Sequence, residues 1–165
     1  MHRIFIALGV LLLTAPALAQ EPVGCDKFKW PLDHERALLA KAAPIASGGE
    51  SAQPLSAAVT VTLARFSDAK LPVPPERVPK SPESYAGFIR VPAVPKAGTY
   101  RITLSEGAWI DVIQNGHMVK SGAFSGATGC AGIRKSVKFG LAPTPFAIEL
   151  SGTKSRTISV VVTPD

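Results

Sequence analysis

Few residue types in this chain can do chemistry, and their spacing limits what they can do. It carries three histidines and two cysteines among 165 residues. His2 falls in an apolar N-terminal stretch, which leaves His34 and His117. A non-haem iron site needs two histidines and a carboxylate converging on one point. Asp111 is the candidate carboxylate, but the hairpin signal Asn115-Gly116 argues against it. A two-residue turn there pairs Gln114 with His117 and Asp111 with Lys120. Asp111 and His117 then point to opposite faces of the sheet. His34 would have to arrive from a separate helix. No metal and no other cofactor is expected. Asp111 lies in an otherwise apolar strand, where a lone carboxylate is costly to desolvate. It is read as a structural residue, ion-paired with Lys120 across the hairpin.

Nucleophilic chemistry fares no better. Cys25 and Cys130 are too far apart in sequence for a C-x-x-C redox or zinc motif. No G-x-S-x-G elbow is present, and Ser125 in a glycine-rich loop has no placed base. The catalytic set is therefore empty, and binding residues are what remain. The loop Gly122–Gly132 contains Gly122, Gly126, Gly129 and Gly132 and runs into Ile133-Arg134-Lys135. Backbone N–H groups beside two cations are suited to an anion. The plainer reading is an irregular loop with a basic strand start. Trp30 and Trp109 have the form of sugar-stacking platforms. Their structural reading has Trp30 packing the N-terminal segment on the sheet and Trp109 filling core. The candidate binding residues are thus Arg134, Lys135, Trp109 and Trp30.

The address is legible at the N-terminus. Arg3, the apolar run Ile4–Leu13 and the triplet Ala17-Leu18-Ala19 are the three parts of a cleavable signal over residues 1–19. The apolar run is too short to span a bilayer, which takes about 20 residues. The expected location is periplasmic or secreted, with no transmembrane segment after signal removal. In such a compartment two cysteines pair, so a Cys25–Cys130 disulfide is expected. Closing a loop of about 100 residues contributes about 4–5 kcal/mol in the chain-entropy model. Without Arg3, residues 20–165 hold 17 basic and 12 acidic side chains, a net +5. That balance favours anionic partners. The absence of a dense basic block with interleaved aromatics excludes nucleic acid.

The positioning elements follow from periodicity. Residues 20–50 form an N-terminal segment with a short helix over Leu32–Lys41, whose stripe is Leu32, Leu38, Leu39 and Ala42. From Leu55 to Ala64 the period is two, a half-buried strand. Residues 67–84 hold five prolines and read as an extended connection across the surface. Strands follow over Tyr85–Val91, Thr99–Ser105 and Ala108–Gln114, with a return at His117–Gly122. Three more are marked by Val137/Phe139/Leu141, Phe146/Ile148/Leu150 and Ile158/Val160/Val162. Seven or eight short strands with turn residues between them predict an all-β antiparallel sandwich or jelly roll, in one domain over 20–165.

Two resemblances accompany this pattern. Ala97-Gly98-Thr99-Tyr100-Arg101-Ile102-Thr103-Leu104-Ser105, then Ile110-Asp111-Val112-Ile113 and Asn115-Gly116, resemble the core of bacterial pre-peptidase C-terminal domains, which are secreted β-sandwich modules. That resemblance implies an accessory or substrate-contacting module. The start Cys25–Leu32, the segment Ala108–Asp111, and Ser125–Cys130 through Arg134–Val137 resemble a group of small exported bacterial proteins sometimes labelled homogentisate 1,2-dioxygenase. Such dioxygenases are longer, cytoplasmic, cupin-type enzymes that hold iron with two His and a carboxylate, a set these residues do not supply. The function read from the sequence is a non-catalytic binding or accessory domain. Its partner is an anionic or glycan ligand or another envelope protein. The alternatives are the dioxygenase activity and a structural, envelope-associated role.

Overall fold

The computed structural model describes residues 20–52, 55 and 57–165. The expected signal peptide, 1–19, lies outside the described residues. A single 3₁₀ turn at Cys25–Lys27 precedes helix α1 (Asp33–Leu39) and strand β1 (Ala43–Ala46). Then come β2 (Val59–Thr62), β3 (Ala64–Arg65), β4 (Tyr85–Val91), β5 (Gly98–Leu104) and β6 (Trp109–Gln114). The chain ends through β7 (His117–Val119), β8 (Ser121–Gly126), β9 (Lys135–Leu141), β10 (Phe146–Thr153) and β11 (Thr157–Pro164). One sheet has the order β1-β2-β11-β5-β9-β8 and the other β3-β4-β10-β6-β7. Pairing is antiparallel except for β1 on β2. The two sheets form a β-sandwich, as the strand periodicity predicts.

The core lies between the sheets. Alternation sends Tyr100, Ile102 and Leu104 of β5 inward to meet Ile110 and Val112 of β6, and Phe146, Ile148 and Leu150 of β10. These positions are buried because each strand spends every second side chain on the same face. Leu55–Ala64 reads as one strand from periodicity, yet this stretch of chain serves both sheets. β2 joins the first sheet and β3 the second, with buried Leu63 at the crossing. The hairpin at Asn115-Gly116 forms as expected, with positive φ at both residues (54° and 76°).

A second, smaller core lies on the outer face of the six-stranded sheet. Leu32 and Leu39 of the α1 region pack with Ala58, Ile133 and Val161, joined by Leu38 and Ala42. The helix is shorter than the predicted 32–41, but its stripe is the predicted one. Buried Glu35 fixes it to the sheet, accepting from the Thr163 hydroxyl at 2.7 Å and facing Arg101 at 3.2 Å. The Cys25–Cys130 disulfide is formed and ties this N-terminal layer to the loop before β9. No helix among the described residues is long and apolar enough to cross a membrane.

Candidate functional site

Strand β6 starts at Trp109, and the alternation that buries Ile110 and Val112 turns Trp109 and Asp111 to the outer face of the five-stranded sheet. The proline-rich segment 67–84 crosses that face as a strap. Asp111 accepts from Trp109 Nε1 at 2.8 Å and from the backbone N–H of Glu76 at 3.2 Å. Glu149 stands directly opposite Asp111 on β10 and accepts from the Val73 N–H at 2.9 Å. Two buried acids therefore hold the strap by its backbone, and Asp111 also fixes the indole ring by its nitrogen. Burial pushes both carboxyls above their ordinary range, against the opposing effect of these hydrogen bonds.

This arrangement corrects the expected Asp111–Lys120 ion pair. The β6–β7 ladder ends at Val112↔Val119, so Lys120 leaves the sheet to begin the crossing to β8. Lys120 is exposed and Asp111 is 3 % exposed. Trp109 and the strap's Glu76 N–H supply the donors in place of the lysine. His117 lies opposite Gln114 in the register, away from the Asp111 face, and both it and His34 are exposed.

The strap, the start of β6 and the ends of β8 and β9 surround a cleft of about 800 Å³. Four cations line it: Arg77 and Lys80 from the strap, Arg134 and Lys135 from the β9 start. Lys135 shares the inward face with Val137 and Phe139, and reaches across the gap between sheets to donate to Ala108 O at 2.9 Å. Its ammonium lies 5.2 Å from the Trp109 ring centroid, and the Arg77 guanidinium 5.5 Å. Burial lowers the Lys135 pKa, and Arg134 and Arg77 add to the effect while Asp111 opposes it. A cation already short of counter-charge gains from an anion beside it. Glu21 is the sole acid among the described lining residues, and it pairs with Arg134. No room remains beside that guanidinium at Gly126, where a Cβ would come within 3.2 Å of Arg134 O and 3.4 Å of its Nη1.

Three of the four sequence candidates, Arg134, Lys135 and Trp109, thus line one cleft. Trp30 does not. It lies on the outer face of the six-stranded sheet, donating from Nε1 to Ser136 Oγ at 3.2 Å, with Lys138 Nζ at 4.6 Å from its ring. It packs against the smaller core. Trp109 is half-buried in the cleft wall and not in the core between the sheets. Several backbone donors in and just after the glycine-rich loop are occupied. Thr128 N donates to Pro22 O, Ala127 N to Arg134 O and Arg134 N to Leu104 O. Residues 127–132 of this loop are not among the described residues that line the cleft.

No family model, curated protein or solved structure matches this chain. The chemistry of the cleft is what bears on function. Sequence reasoning missed Arg77, Lys80 and Phe124 as lining residues. Arg77-Val78-Pro79-Lys80 is a visible basic stretch within the proline-rich segment, but nothing in its spacing says which sheet it crosses. Among the described residues no group of three or more His, Cys, Asp or Glu is placed to hold a metal ion.

Proposed function

We propose that this protein is an exported, non-catalytic binding domain that takes an anionic ligand in the cleft beside Trp109. The observation that carries this reading is the convergence of Arg77, Lys80, Arg134 and Lys135, from separate segments, on one cleft with a single acid among its described lining residues. Cations gathered from distant parts of the sequence raise the local potential and favour a negative partner. The disulfide and the N-terminal signal pattern support a site of action outside the cytoplasm. The resemblance to pre-peptidase C-terminal modules fits an accessory role of the same kind.

Calorimetric titration with small carboxylates and phosphate tests the proposal. Lys135→Met and Arg134→Met each remove one charge-assisted contact and should weaken binding about tenfold. Lys138→Met, beside Trp30, should leave it unchanged. Binding that weakens equally in the Lys138 variant would point to net charge as its source and would refute a defined site.

A further inference from the structure

The cleft is more apolar than an anion alone requires. Val78 on the strap and Phe124 on β8 are 69 % and 61 % exposed and stand at its rim. Deeper in, Ile110 and Val137 belong to the main core and also line the cleft, so its floor rests on the core. Exposed large apolar side chains grouped around one concavity mark a binding surface. The volume of about 800 Å³ is far larger than a carboxylate or phosphate group fills and falls in the range of small-molecule sites. A glycan is poorly served, because Arg77 and Lys135 already lie against the Trp109 ring and a sugar would have to displace one of them to stack there.

Resting on the anion-binding reading above, we propose that the ligand is a single-chain anionic amphiphile. Its acidic head would lie among Arg134, Lys135 and Arg77. Its hydrocarbon tail would run past Phe124 and Val78 towards Ile110 and Val137. Glu21, whose carboxylate lies on Arg134 from the N-terminal segment, occupies the position of the ligand's acidic group. It is 65 % exposed and thus open to displacement.

Four probes separate the alternatives on the full chain as exported: acetate, decanoate, decanol and tri-galacturonate, with dissociation constants measured by calorimetry below the aggregation concentration of decanoate. Each methylene buried adds up to about fourfold in affinity, so decanoate should bind at least about 100-fold more tightly than acetate. It should also bind about tenfold more tightly than the uncharged decanol. Phe124→Ser and Val78→Ser replace exposed side chains, and each should reduce the decanoate-to-acetate ratio about fivefold. Equal affinity for acetate and decanoate, or an unchanged ratio in both variants, would overturn the amphiphile and leave the anion site standing. Tightest binding of tri-galacturonate would do the same in favour of a glycan. Failure of all three anions to bind would remove both readings.

Discussion

Asp111 shows how a single residue's role depends on what covers it. Hairpin register alone makes Lys120 its neighbour, and the register is as expected up to Val112↔Val119. The donors that decide its role come instead from Trp109 and from Glu76, 35 residues away in sequence. No local pattern encodes that contact, because a strap of prolines can cross either sheet. A double-mutant cycle reads the difference. Asp111→Asn combined with Lys120→Met should show coupling within about 0.3 kcal/mol of zero, as for sites without shared partners. Asp111→Asn combined with Trp109→Phe should couple by about 1 kcal/mol, the typical contribution of one hydrogen bond. Coupling to Lys120 of that size would restore the cross-hairpin ion pair. Arg134 and Lys135 were legible as binding candidates because two adjacent cations follow a glycine-rich loop, although Thr128 N of that loop donates to the N-terminal segment and residues 127–132 do not line the cleft.

At the scale of elements, the strap is the part whose attachment responds to pH. It is tied through Val73 and Glu76 to two carboxyls whose folded pKa values are raised by burial. An acid raised on folding binds its proton more tightly in the folded state. Its stabilising contribution is full below the ordinary carboxylate range and is lost as pH rises through the folded pKa. Glu149→Gln retains an acceptor for the Val73 N–H and removes the buried charge. Melting temperature measured at about pH 4.5 and about pH 7.5 should therefore fall less with rising pH in Glu149→Gln than in the unmodified chain. An equal fall in both would show that this carboxyl does not govern the strap. Strong alternation made β5, β9, β10 and β11 readable, since both their core positions and their turns are marked. From periodicity β3 reads as the end of β2, and β1 and β8 escaped. β1 is a short edge strand that contains Pro44 and pairs in parallel, and β8, Ser-Gly-Ala-Phe-Ser-Gly, has little strand propensity and takes its form from pairing with β9.

On the scale of the whole molecule, sandwich and disulfide were both readable, since strand count and an exported cysteine pair depend on composition and period. The cleft was not. It exists because the strap, the β6 start, the β8–β9 edge and the N-terminal segment meet at one end of the sandwich, where the core residues Ile110 and Val137 come into reach. Sites built from several segments leave only fragments in each. Anion binding in this cleft is read out by titrating the ¹⁵N-labelled protein with decanoate and following the amide resonances. Binding there gives saturable shifts confined to Arg77–Ser81, Gly107–Ile110, Phe124–Gly126 and Arg134–Val137, with Trp30 and Lys138 unmoved. Shifts that centre on Trp30 and Lys138, or that rise without saturation across the surface, would contradict it.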